Sequence, residues 1–313
     1  VTGAAGRPVR PRIEWRDVDG ILLLDKPVGM TSNDALQRAR RLFRARKAGH
    51  TGSLDPLASG MLPVCFGSAT KVSGFLLDAD KAYRARLALG ARTATGDTEG
   101  EIVERASVPT LDPDAVRTAC AAFVGPYRQV PPMYSALKRD GRPLYELARA
   151  GIEVEREARE LTIHALEPVA VDADGVEFVV RCSKGTYVRT LGEDLARALG
   201  TVGHLTALRR LEVEPFGTGP TVTFAALEAC ADDAARDRLL LAPDAALAAW
   251  PAVVLDAGGA DDVRHGRATA CPAALAPGAA VRLYGPGGAF LAVGRSGADG
   301  RCVAPTRVFL PAG

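Results

Sequence analysis

The chain reads as an α+β protein with a second, small β unit at its C-terminal end, and three observations predict this. Residues 21–24, 83–90 and 176–182 are short apolar or alternating runs of strand type. Residues 35–43 and 188–199 repeat their apolar positions with the period of a helix. From Trp250 onward the chain turns glycine-rich, with β-type runs such as Ala280-Val281-Arg282-Leu283-Tyr284 and Ala289-Phe290-Leu291-Ala292-Val293. At 313 residues the length suits roughly two domains of about 100–200 residues each.

The run Ile21-Leu22-Leu23-Leu24 reads as a buried strand, and Asp25-Lys26-Pro27-Val28-Gly29 closes it with turn residues. A helix follows: Thr31 or Ser32 caps it, Asp34 suits its first turn, and Ala35, Leu36, Ala39, Leu42 and Phe43 share one face. After a loop rich in glycine and proline comes a strand in which Tyr83, Ala85, Leu87 and Leu89 face inward. Residues 128–159 carry seven lysines or arginines with prolines at 131, 132 and 143, the composition of an excursion from the core with a short helix at 144–150. Val176, Phe178, Val180 and Cys182 alternate along a strand that runs through Ser183-Lys184-Gly185-Thr186-Tyr187 into a helix bearing Leu191, Leu195 and Leu199, stopped by Gly200. Residues 225–249, rich in alanine and leucine, are expected to be helical. The domains expected are an N-terminal arm over 1–19, loosely ordered because it is rich in Arg, Pro and Gly, a main domain over 20–250 with the 128–159 insert, and a β domain over 251–313.

Composition narrows the function classes. Hydrophobic content of 47% and charged content of 24% are ordinary for a globular protein, and no apolar run reaches the ~20 residues that span a bilayer. Six dispersed cysteines without a Cys-x-x-Cys pair, and no recognisable secretory leader, suggest buried free thiols in a cytoplasmic protein. The four histidines, His50, His164, His204 and His265, are too scattered for a local zinc-type pair, so no metal is expected. Arg38, Arg40, Arg41, Arg44, Arg46 and Lys47 fall within ten residues that hold no acid. That run fits either a phosphate-facing patch or the cationic C-terminus of a helix.

The chemistry concentrates in Gly49-His50-Thr51-Gly52-Ser53-Leu54-Asp55-Pro56-Leu57-Ala58-Ser59-Gly60-Met61-Leu62-Pro63. Glycines permit close backbone approach, and Pro56 restricts Asp55 to an extended conformation. Asp-Pro in such a loop is either a plain turn or a held carboxylate that acts as a nucleophile.

Several further blocks keep one order and spacing: Gly20-Ile21-Leu22-Leu23-Leu24-Asp25-Lys26-Pro27, Lys81-Ala82-Tyr83-Arg84, Pro132-Met133-Tyr134-Ser135-Ala136-Leu137-Lys138, Gly151-Ile152-Glu153-Val154, Cys182-Ser183-Lys184-Gly185-Thr186-Tyr187-Val188-Arg189 and Leu208-Arg209-Arg210-Leu211. With the Asp55 loop they make residues 20–215 closely similar to the bacterial tRNA pseudouridine synthase B family, which isomerises uridine 55 of the tRNA T loop. The number it shares with Asp55 is a coincidence. The C-terminal part resembles more loosely that family's small RNA-binding β domain, called PUA. The resemblance implies a mixed, mainly antiparallel sheet with flanking helices and a central cleft, followed by a small β barrel. It also implies Asp55 as nucleophile, Arg189 as its partner, and RNA contacts at His50, Tyr83, Tyr187 and Leu208. Lys26 and Pro27 fall in the motif beneath the active site, and 128–159 matches a segment that closes over the T loop. At the matching catalytic positions the chain departs nowhere from the family pattern.

The residue types suit that chemistry. Uridine and pseudouridine differ only in which base atom joins C1′, so the resemblance requires no cofactor, and one acid suffices. A guanidinium at Arg189 holds a carboxylate through two parallel hydrogen bonds, a fork that lysine lacks. Tyr83 and Tyr187 offer stacking platforms for an extruded base, and the Tyr83 phenol is a candidate shuttle for the C5 proton. His50 is expected to wedge into the T loop, Leu208 to line the uracil pocket, and Arg209 and Arg210 to meet phosphate. The partner expected is the T arm of tRNA, bound by a monomer without membrane or small-molecule cofactor. Two other classes compete: a non-catalytic T-loop-binding or folding protein, which has no need of Asp55, and an acid-nucleophile hydrolase, which has no need of the basic insert. A guide-RNA-dependent synthase fits less well, since the insert and the short C-terminus resemble the stand-alone type.

Overall fold

A computed structural model of the chain describes residues 14–139 and 141–309. Most of the arm expected over 1–19 lies outside the described residues. Its last part is tied down, because Arg16 pairs with Ala45 in an isolated bridge and with Asp233 and Asp237 by charge, while Val18 is buried.

The chain begins with β1 (Gly20–Lys26), α1 (Ser32–Phe43), β2 (Ala48–His50) and β3 (Ala58–Phe66). Both faces of β1 are covered, which is why it reads as a continuous apolar run rather than an alternation. Thr31 is the cap of α1, its Oγ1 accepting from the Asp34 N–H at 3.1 Å. After α2 (Ser73–Leu77) come β4 (Lys81–Leu89), the hairpin of β5 (Ala91–Thr93) and β6 (Ile102–Arg105), α3 (Pro113–Ala121) and β7 (Gly125–Gln129). The basic excursion holds the two-residue strands β8 (Lys138–Arg139) and β9 (Arg142–Pro143) and the short helix α4 (Leu144–Arg149). β10 (Arg159–Asp172), β11 (Gly175–Cys182), α5 (Val188–Ala198) and β12 (Gly203–Val213) complete the main sheet.

That sheet has eight strands in the order β1-β3-β12-β4-β11-β10-β7, with β2 paired to β3. Every pairing is antiparallel except β12 with β3, which is parallel over Leu208, Arg209 and Arg210. β12 therefore joins two half-sheets, and the cleft opens where they meet. Core side chains from α1, α3 and α5 cover one face.

Residues 225–249 are not one helix. They form α6 (Phe224–Glu228), α7 (Asp233–Asp237) and a 3-10 turn over Pro243–Leu247, because Thr223, Asp232 and Pro243 each restart the chain. The C-terminal unit contains β13 (Ala252–Val254), α8 (Ala257–Arg264), β14 (Thr269–Ala270), β15 (Ala280–Tyr284), β16 (Phe290–Ser296) and β17 (Cys302–Val308). Its five strands curl into a half-barrel in the order β13-β15-β16-β17-β14. Phe290 and Phe309 pack with the outer face of β1 and β3, and Trp250 meets Phe75 edge to face at 4.7 Å.

Two details are added to the expectations. Arg38, Arg44 and Arg46 are paired with Glu228, Asp233 and Asp17, and Arg40 stacks on Trp15, which braces α1 against its neighbours, while Arg41 and Lys47 are exposed and carry no ion pair among the described residues. Of the six free cysteines, Cys65, Cys120 and Cys182 are buried, while Cys230, Cys271 and Cys302 are half-buried. No helix among the described residues is long and apolar enough to cross a membrane.

Candidate active site

Asp55 lies in the loop between β2 and β3, and the loop is pinned on both sides of it. Ser32 Oγ donates to the Leu54 carbonyl at 3.0 Å and accepts from its N–H at 2.7 Å. The Gly29 N–H donates to Pro56 O at 2.8 Å, and the Ala58 N–H to Asp55 O at 3.0 Å. These bonds leave the carboxylate facing the cleft, with 42% of the side chain exposed. Gly60 has φ +99, and a Cβ there would strike the Arg210 carbonyl, so only glycine lets β12 run beside β3 at this point. The same pairing delivers Leu208, while Tyr83 on β4 sits directly across from Arg210.

Tyr187 and Arg189 come from the start of α5. Both backbone groups of Tyr187 bind the Gln129 side-chain amide, at 2.9 and 3.1 Å. The Arg189 Nη2 lies 3.0 Å from Asp55 Oδ2, yet it also donates to Tyr134 O at 2.8 Å, and Nη1 donates to Thr95 O at 2.8 Å. Asp97 Oδ2 is 3.5 Å from Nη1. The two-bond fork expected between Arg189 and Asp55 is thus replaced by a single contact, because carbonyls and a second acid occupy the rest of the guanidinium. Burial raises the Asp55 carboxyl above the ordinary aspartate value, Arg189 opposes that rise, and Asp97 adds to it.

Tyr83, Tyr187, Leu208, Arg189 and Asp55 line one cavity of about 320 Å³. A second lobe of about 390 Å³ shares Asp55 and Arg189 and is bordered by His50, Asp97, Glu99 and Arg149. The acid sits where the two lobes join. His50 is half-buried, its Nδ1 has no hydrogen-bond partner among the described residues, and burial lowers its pKa, favouring the neutral ring.

The sequence matches the model for the TruB family pseudouridylate synthase N-terminal domain over 40–188 and two C-terminal models of the same family over 189–248 and 251–309. It is 54% identical over 292 residues to a tRNA pseudouridine synthase B of Burkholderia mallei, covering 92% of this chain and 93% of that one. The chain belongs to the TruB family of pseudouridine synthases. A protein of the same name from Nitrosococcus oceani is 50% identical over 95% of this chain and 96% of its own. Among solved structures, the crystal structure of a Cbf5-Nop10-Gar1 complex superposes with a TM-score of 0.71 at 25% identity, covering 93% of this chain and 85% of that one. The α+β architecture and the enzyme class follow from these matches.

Within this TruB-family synthase, Lys26, which the resemblance also places among the substrate-binding residues, and the two arginines expected to meet phosphate are all engaged by the protein itself. Lys26 is fully buried and donates to Pro27 O at 2.9 Å and Met30 O at 2.6 Å, so it supports the loop before α1 rather than the RNA. Arg210 is 1% exposed and cannot reach a phosphate at the surface. Arg209 is half-exposed, but Asp25 holds its guanidinium through two bonds at 2.8 and 3.0 Å. Two site residues escaped the sequence. Asp97 lies among Thr, Gly and Glu in what reads as an ordinary turn, and Gln129 ends an unremarkable strand. Their roles depend on Arg189 and Tyr187, which are distant in the chain.

Proposed function

We propose that this synthase converts uridine 55 in the T loop of tRNA to pseudouridine, with Asp55 as the nucleophile. One observation carries the reading: an ionisable acid, held 3.0 Å from a buried arginine, stands at the junction of a cavity walled by two tyrosines. The names of the relatives supply the substrate class.

The reaction breaks the N1–C1′ bond, turns the base, and rejoins it through C5. Asp55 works on the nucleotide in its ionised form, whether at C1′, at C6 or at the C2′ proton. Extruding the base costs a few kcal/mol, and an aromatic platform such as Tyr83 returns about 1–3 kcal/mol per stacked base. The Tyr83 phenol is in reach of the pocket for the C5 proton, and Tyr187 forms the facing wall. A neutral His50 wedges into the gap left in the T loop, and Leu208 contacts the uracil. Residues 128–159 close over the RNA, and 251–313 hold it from the side. The protein acts as a monomer in the cytoplasm and uses no cofactor.

The test is to incubate the protein with unmodified tRNA and map pseudouridine by carbodiimide-blocked primer extension. Wild type gives a stop at uridine 55, and Asp55→Asn gives none. An Asp55→Asn protein that retains turnover, or a stop elsewhere in the tRNA, rejects the reading.

A further inference from the structure

The cavity is bordered by a positive charge that no acid among the described residues pairs with. Arg210 heads the largest fully buried side chains of the described residues, and none of the ion pairs found among those residues includes it. Nε donates to Met61 O at 2.7 Å and Nη2 to Gly52 O at 3.0 Å, and the side chain stands within hydrogen-bonding reach of the Tyr83 phenol. Nη1 lies under Gly52, where a Cβ would come within 3.4 Å of it. The guanidinium borders the cavity beside Tyr83 and Lys81. Its field adds to burial in pushing Lys26 and Lys81 down to about 8. The other arginine of the pocket, Arg189, has Asp55 and Asp97 as partners.

A buried cation without an acid partner is costly to hold, and one fixed in advance beside a reacting base stabilises the negative charge that develops there. The reaction proposed above, on which this inference rests, develops such a charge. When N1–C1′ breaks, both electrons stay on the base and spread over N1, O2 and O4. Addition at C6 likewise drives charge onto C5 and O4. We infer that Arg210 is the group that stabilises the anionic uracil between cleavage of N1–C1′ and closure of C5–C1′. In the C1′ route, the Asp55 oxygen takes C1′ as uracil leaves. The rotated anion then bonds C1′ through C5 and displaces the carboxylate. The C5 proton departs, N1 gains one, and no oxidant or reductant is needed. The charge acts on the reacting base and not on the tRNA body, so its loss falls on kcat and leaves KM in place.

Wild type, Arg210→Lys and Arg210→Gln are compared on tRNA carrying uridine or 5-fluorouridine at the target position. Single-turnover loss of the starting nucleotide is the readout. Arg210→Gln is expected to lose about 10²–10³-fold with uridine at unchanged KM, the magnitude of a removed oxyanion donor. Arg210→Lys retains more. With 5-fluorouridine, whose base is the better leaving anion, the deficit of Arg210→Gln shrinks at least about tenfold if charge is what was lost. Equal deficits on both substrates mean a structural role and overturn the inference. Should Arg210→Gln fail to fold, wild-type protein decides with free bases. The pocket is expected to bind 5-nitrouracil, an anion at neutral pH, more tightly than uracil, and equal or weaker binding overturns the inference. Wild type that forms no pseudouridine rejects the reaction reading, while the free-base comparison still decides on the charge.

Discussion

Asp55 and Arg189 touch through one oxygen and one nitrogen, and the rest of the guanidinium is anchored to the Thr95 and Tyr134 carbonyls. Lysine supplies charge without reaching all three partners. Arg189→Lys is therefore expected to lower kcat about 10²-fold through misplacement of the acid, read by the same primer-extension assay under saturating tRNA. Because burial raises the Asp55 carboxyl and the reaction needs it ionised, kcat/KM should fall on the acid side through a pKa above the ordinary aspartate value of about 3.9. A limb at or below that value contradicts the placement. Lys81 gives an opposite, stability-linked signal. Its amine bonds the Leu76, Leu77 and Ala79 carbonyls, and burial first, then Arg210, lowers it to about 8. Between pH 8 and about 10 the unfolded chain holds a proton there that the folded chain lacks, so stability rises with pH in that window. Thermal melts of Lys81→Met are expected to show a flatter rise than wild type. Glycine, proline and strand alternation mark the places of Asp55 and Tyr83 in the chain, but locally each also reads as a turn acid or a core tyrosine, and only the family resemblance singled them out. Asp97 and the burial of Arg210 were not legible, since both are decided by strands distant in sequence.

Helix α1 illustrates what period and caps can reveal. Its face of Ala35, Leu36, Ala39 and Phe43 is buried, and Thr31→Ala removes one cap bond, worth about 1 kcal/mol or a Tm loss of about 2–4 °C. A melt unchanged by that substitution removes the cap from the account. Composition without caps misled over 225–249, where alanine and leucine fill three short turns. The hairpins β5–β6 and β8–β9 were invisible because strands of two to four residues carry no measurable alternation. Strand register itself was unreadable: the approach of β12 to β3 depends on Gly60 and on residues near 208 at once. Gly60→Ala combines a strained φ with a backbone clash, so it is expected to lose soluble protein or several degrees of Tm by calorimetry.

For the whole molecule, exposed cations without an ion pair among the described residues include Arg41 and Lys47 beside α1 and Lys138 and Arg142 in the 128–159 excursion. Raising salt from about 50 to 200 mM should weaken tRNA binding by about 10³-fold or more if six or more phosphates are met, and filter-binding isotherms measure the slope. A flat response would leave the excursion without a role in holding RNA. Two units, a larger α+β one and a small β one, were expected from the change in composition at residue 250. Their joint, built from Phe75, Trp250, Phe290 and Phe309, was not, because each aromatic alone reads as ordinary core. The position of β12 has a further outcome during synthesis. β3 and β4 are neighbours in the chain, yet they share no edge until β12 slides between them. A chain made only as far as α5 contains Asp55, Tyr83 and Arg189 but lacks the strand that lies between β3 and β4.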